Sequence, residues 1–145
     1  MTRPRRETHV VVDTDVTSWL IDPRPLPQAE AARRIIGGRI QVVSFITVTE
    51  LRYGALLASW GEFRLRRLER SLADLDVIQT GEAVIARCAE LRAQLSRSGH
   101  GLGQKIHEAD RWVAATALAL NLDLVAGDGI FAGVDDLNLQ RVSPT

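Results

Sequence analysis

The sequence is poor in several things that would each have pointed elsewhere. It has one cysteine, Cys88, which excludes an intramolecular disulfide and any cysteine-based zinc cluster. Cys88 falls in a helical pattern and reads as a packed helix residue. No apolar run approaches the ~20 residues a membrane span needs. Residues 1–8 are basic and polar with no apolar stretch behind them, so they do not read as a secretory signal, and a cytoplasmic location is expected. Net charge is also absent: 18 basic residues balance 18 acidic ones, which argues neither for nor against a polyanionic partner. Lys105 is the only lysine. An arginine bias suits bidentate phosphate contacts, yet a GC-rich genome produces the same bias, so it defines no site by itself. Ser44, Ser18 and Thr17 lack a histidine–carboxylate pair at recognisable spacing, so a serine hydrolase is unsupported. Neither standard phosphate-cradling glycine loop occurs.

What is present is an ordinary globular composition, 46% hydrophobic and 25% charged over 145 residues. With no repeat, low-complexity tract or long linker, a single domain over residues 1–145 is expected. Strand and helix patterns alternate throughout. Residues 9–13 (HVVVD) are a β-branched run of the kind buried on both faces of a sheet. Helical patterns follow at 14–21 and 28–36, the second closed by Gly37-Gly38. A strand at 40–44 precedes helices at 46–59 and 62–74, and a strand at 76–79 precedes a helix at 82–97. After a Gly/Ser/His loop at 98–103 come a helix at 106–120 and strands at 122–126 and 139–142. Short buried strands between helices imply βαβ units, hence an α/β fold with a parallel sheet covered on both faces. In such sheets the site lies beyond the carboxyl ends of the strands.

Four acids from distant parts of the chain map to that edge. Asp13 ends the first strand and Glu50 sits one turn into the helix after the second. Asp110 opens the sixth helix and Asp128 follows the fourth strand. Asp110 shares a helical face with Val113, Ala114, Ala117 and Leu118, and Glu50 with Ile46, Tyr53, Gly54 and Leu57, so both head apolar stripes where an unpaired carboxylate is costly. Each acid alone has a plainer reading: Asp13, Thr14 or Asp15 as a cap on the first helix, Asp110 as a cap on the sixth. All four together repel. Two carboxylates ~5 Å apart cost roughly 3 kcal/mol at an effective dielectric of 20, and a divalent cation removes that penalty. Oxygen ligands without Cys or His favour Mg²⁺ or Mn²⁺ over zinc. Glu62, Glu69 and Glu90 sit among arginines and read as solvated surface. His9 and His100 read as incidental, while His107 lies close to Asp110.

The segments VVVDTDVTSWL (10–20), SFITVTELRYGA (44–55) and EADRWVAATALALNLDLVAGD (108–128) resemble the PIN-domain family, and within it the VapC-type toxins of bacterial toxin–antitoxin pairs. The resemblance implies a three-layer α/β sandwich whose parallel sheet has the strand order 3-2-1-4-5. It also implies an acidic pocket that holds Mg²⁺ or Mn²⁺ and hydrolyses RNA. Position by position, the family's acids fall on Asp13, Glu50, Asp110 and Asp128. A VapB-type antitoxin and a homodimer are the implied partners. Two positions depart from the family's habit: Ala126 stands where threonine is frequent, and Asp15 where a small polar residue is more usual.

On this reading Asp13 and Asp110, helped by Glu50 and Asp128, hold the metal, and Arg64, Arg66, Arg67 and Arg70 either steer the RNA backbone or pair with Glu62 and Glu69. Two alternatives remain open here. Asp13-x-Asp15-x-Thr17, Ser44, Lys105 and Gly127-Asp128 also resemble a haloacid-dehalogenase-type phosphatase with Asp13 as nucleophile, which leaves Glu50 and Asp110 without a role. A non-enzymatic receiver-like or interaction domain would need an acceptor aspartate at the end of the third strand, where Asp76 instead begins it.

Overall fold

A computed structural model describes residues 3–143. Its centre is His9–Val12 (β1), where three consecutive valines are shielded completely from solvent. β-branched side chains suit a strand covered on both faces, and each valine buried stabilises the fold by about 1.5–3 kcal/mol. The elements that follow are Thr14–Ile21 (α1), Pro27–Ile36 (α2), Ile40–Ser44 (β2), Phe45–Leu57 (α3), Glu62–Ala73 (α4), Asp76–Ile78 (β3), Glu82–Ser98 (α5), Glu108–Leu120 (α6), Leu124–Ala126 (β4) and Leu139–Arg141 (β5). The strands form one parallel sheet in the order β3-β2-β1-β4-β5, the order expected.

The alternation of the strands builds two cores. Val11, Leu124 and Ala126 face α5 and α6, meeting Leu91, Leu95, Val113, Ala114 and Ala117. Val10, Val12 and Val125 face the other way, onto Val16 of α1 and Ala32 and Ile36 of α2. Helices on both faces of the sheet complete the three layers. Because every strand is parallel, their carboxyl ends share one edge: Val12 pairs with Val125 of β4, and Ala126 with Arg141 of β5.

Several boundaries differ from the sequence pattern. Residues 105–107 form a 3₁₀ turn rather than the first turn of α6. β4 starts at Leu124, not residue 122, because the Leu122 amide still bonds the Ala117 carbonyl, past Asn121 in the left-handed conformation. The stripe expected to bury Glu50's face of α3 is only partly buried: Tyr53 and Leu57 are exposed, and the buried residues of that helix are Thr47 and Ala55. Among the described residues, no helix is long and apolar enough to cross a membrane.

Candidate active site

Asp13 follows β1 directly and caps α1, its Oδ1 accepting from the Val16 amide at 2.9 Å. Its Oδ2 accepts from the Gly127 amide at 3.2 Å, which ties the ends of two neighbouring strands together. The capping expectation is therefore met at Asp13, but the cap leaves lone pairs on both oxygens for further contacts. Only 3% of the residue is exposed. Burial pushes its carboxyl up to about 7, and the charges of Asp15 and Asp110 push the same way against two backbone hydrogen bonds.

Glu50 reaches back to α1, where its Oε1 accepts from the Thr14 hydroxyl at 2.8 Å, and Thr14 also meets Thr47 at 3.0 Å. Partial burial raises the Glu50 carboxyl above its ordinary range; the Thr14 bond opposes this, while Asp110 and Asp15 reinforce it. Asp110 does not cap α6, whose first turn begins after His107 without a side-chain cap. Its Oδ2 lies 3.3 Å from Nδ1 of His107. Burial again raises its carboxyl, with Asp128 and Asp15 adding and His107 subtracting. Asp128 is exposed and caps the turn Gly129–Phe131 through the Ile130 amide, at 2.9 Å.

The structure thus brings all four expected acids to the carboxyl edge and adds a fifth. Asp15, exposed on α1, is raised by partial desolvation and by Asp128. None of the five pairs with an arginine or lysine among the described residues, whereas Glu62, Glu69 and Glu90 pair with Arg66, Arg52 and Arg87. Mutually repelling carboxylates with no arginine or lysine partner, and His107 against Asp110 alone, make an oxygen-rich set of the chemistry that suits a hard dication. As their side chains stand, no three acidic, histidine or cysteine groups among the described residues are close enough to hold one ion.

Sequence reasoning passed over the supports of these acids. Thr14, itself bonded to Thr47, holds Glu50, and the Gly127 amide holds Asp13. A backbone donor leaves no trace in residue type, although Thr14 and Thr47 stand in the quoted motifs. Arg111 was also overlooked: it is buried, and its guanidinium donates to the carbonyls of Leu102 and Gln104, pinning the loop that ends in His107. His9 and His100 are structural, the first against Thr8 and the second bridging the Leu102 amide and the Ala132 carbonyl. Arg64 and Arg67 lie over the rings of Trp60 and Phe63, and among the described residues Arg66 is the one of that cluster that pairs with Glu62.

A parallel sheet in this order, covered by helices on both faces and with acids at its carboxyl edge, defines a small three-layer α/β domain. The PIN domain profile matches residues 10–137, and the chain belongs to the PIN-domain family. It is 29% identical over 127 residues to ribonuclease VapC5 of Mycobacterium tuberculosis, covering 86% of this chain and 87% of that one. It is 30% identical over 118 residues to ribonuclease VapC2 of Haemophilus influenzae, covering 81% and 85%. Among solved structures, VapBC-5 from Mycobacterium tuberculosis, a member of the VapBC family of toxin–antitoxin systems, superimposes with a TM-score of 0.69 at 28% identity, over 93% of this chain and 99% of that chain. These likenesses do not favour the phosphatase or receiver alternatives, and Asp76 does begin β3 in register with Val42, at the wrong end for a receiver's acceptor.

Proposed function

We propose that this chain is a divalent-metal-dependent endoribonuclease, the toxin of a VapBC-type pair, hydrolysing RNA phosphodiester bonds at the carboxyl edge of its sheet. The observation that carries the reading is the gathering of Asp13, Glu50, Asp110 and Asp128, which sense one another's charge directly or through Asp15 and form no ion pair with an arginine or lysine among the described residues. Asp13 and Asp110 would hold Mg²⁺ or Mn²⁺, with Glu50 and Asp128 completing the oxygen set as their side chains turn inward. The dication would supply charge for the phosphoryl oxygens and a lowered pKa for the attacking water.

The chain's own residues set up the rest. Gly127 and Val16 fix the Asp13 carboxylate, which therefore needs no reorganisation during the reaction, and Thr14 holds Glu50 at its resting position. With its carboxyl raised by burial and by the Asp110 and Asp15 charges, Glu50 would accept a proton from water. A VapB-type antitoxin and a second copy of the chain are the proposed partners. The exposed apolar side chains of Tyr53, Leu56, Leu57 and Phe63 support protein contact on α3 and α4.

The test is RNA cleavage by the purified protein with Mg²⁺ or Mn²⁺. Asp13→Asn and Asp110→Asn are each expected to lower the rate at least a hundredfold while the circular dichroism spectrum is kept. Full activity in either variant, or activity in excess chelator, would overturn the reading.

A further inference from the structure

The loop that carries Asp128 is built as Gly127-Asp128-Gly129, and each glycine makes room for one particular side chain. A Cβ on Gly127 would lie 2.5 Å from Cη2 of Trp19, and one on Gly129 would lie 3.1 Å from Nη1 of Arg141. Neither glycine has a positive φ, so what these positions require is space and not a special backbone conformation. Trp19 comes from α1 on one face of the sheet, where it packs at the margin of the Val10–Val12 core and is half-buried. Arg141 ends β5 and shares the opposite face with Leu139. It is exposed and makes no ion pair or side-chain hydrogen bond among the described residues, although its guanidinium lies against the backbone next to Asp128.

An indole and a guanidinium therefore flank Asp128 from the two sides of the sheet, both at the edge where the acids gather. Their chemistries are complementary to a nucleotide: an aromatic face stacks any base, and a planar fork of N–H donors fits a phosphate. We propose that Trp19 and Arg141 form a nucleotide subsite beside Asp128, the indole stacking on one base of a single-stranded RNA and the guanidinium holding the adjacent phosphate. This deepens the ribonuclease reading and rests on it. The role is one of substrate positioning, and it explains why this chain spends two glycines around an acid that itself caps the following turn.

The experiment measures binding apart from cleavage. A fluorescein-labelled single-stranded oligoribonucleotide of mixed sequence is titrated with the full chain carrying Asp110→Asn, and anisotropy is read in Mg²⁺. Adding Trp19→Leu should weaken binding about tenfold, and Trp19→Phe, which keeps an aromatic face, only about threefold. Arg141→Gln should weaken binding about fivefold and take about one unit off the slope of log affinity against log salt. Should Trp19→Leu fail to fold, the exposed Arg141 and the quenching of indole fluorescence by RNA, expected to shrink in Trp19→Phe with Trp60 and Trp112 still present, carry the test. Unchanged affinity and salt slope in Arg141→Gln together with unchanged quenching in Trp19→Phe would overturn the subsite, as would a parent that binds no RNA. Cleavage by the unsubstituted protein is assayed separately: if it is absent while binding still depends on Trp19 and Arg141, the ribonuclease reading fails and the subsite stands.

Discussion

Asp13 carries the largest electrostatic burden of any single residue. Its carboxyl titrates at about 7 when folded, against an ordinary value of 3.8. Below pH 4 the group is protonated in both folded and unfolded chains. Between pH 4 and 7 the folded state binds a proton that the unfolded state has lost, so stability falls as pH rises, and the loss is complete above about 7. A shift of this size on a nearly fully buried group corresponds to about 4 kcal/mol as an upper bound. Metal-free protein should therefore denature at lower urea concentration at pH 8 than at pH 5.5, and Asp13→Asn should flatten that dependence while keeping the α1 cap through its amide oxygen. Mn²⁺ titrated calorimetrically should bind more tightly at pH 8, since ligation displaces the proton. Asp15 is a separate case at this scale. It is exposed and linked to the cluster only by charge, so Asp15→Asn should change the rate of RNA cleavage by about tenfold or less, where a phosphatase using Asp15 as its acid would lose all activity on a phosphomonoester such as p-nitrophenyl phosphate.

At the scale of elements, α6 decides where Asp110 stands. Its inner face is Val113, Ala114 and Ala117, and the alanines let the helix lie close on β1 and β2. Ala114→Leu would drive three extra carbons into a filled core, at a cost of about 1–3 kcal/mol, and would lift the helix together with its acid. The expected result is a lower urea midpoint together with weaker Mn²⁺ binding, measured calorimetrically; a variant that loses stability with unaltered metal affinity would show that Asp110 is placed independently of this packing. The same element shows how far the sequence could be read. The i, i+3, i+4 stripe that begins at Asp110 identified the buried face, since small and apolar residues there have no other use. The start of the helix was not legible, because residues 105–107 have helical propensity, yet Arg111 reaches back to the Leu102 and Gln104 carbonyls and winds that stretch into a 3₁₀ turn. On α3 the same periodicity misled: Tyr53 and Leu57 form an apolar stripe that faces outward. Periodicity reports that a face is apolar, not what covers it. Asp13 and Asp128 were legible from their positions after strands, and Glu50 and Asp110 from their phase on helices. Their supports were not, because the Gly127 amide and the Thr14 hydroxyl act through contacts between segments far apart in sequence.

Across the whole molecule the two edges of the sheet treat acids in opposite ways. At the carboxyl edge Asp13, Asp15, Glu50 and Asp110 form no ion pair with an arginine or lysine among the described residues, and burial raises each of them. At the amino edge Asp123 is nearly buried and collects Arg6 at 2.9 Å, Arg39 at 3.0 Å and the Asn138 amide at 2.6 Å. Burial alone would raise its carboxyl, but the bonds from Asn138 and Arg6 and the nearby Arg39 charge outweigh it and the net displacement is downward. A depressed folded value means that this stabilisation is present above the ordinary carboxylate range and is lost as pH falls through it, the reverse of Asp13. The network joins the N-terminal segment to the starts of β2, β4 and β5, Arg39 also bonding Gln140 and the Ile35 and Ile36 carbonyls. It is therefore a fastening for the sheet at the end remote from the site. Asp123→Asn keeps a contact to Asn138 but leaves both arginines without their counter-charge, at a cost of about 2 kcal/mol. That cost should appear as a lower urea midpoint at pH 7 that converges with the parent's as pH falls below 4. Below the new unfolding transition kcat on RNA should stay within about twofold of the parent's, because no atom of this network touches the acidic edge. A large fall in kcat with little change in stability would mean that the amino-edge fastening governs the geometry of the site, and that the division of the sheet into a stabilising end and a reactive end is wrong.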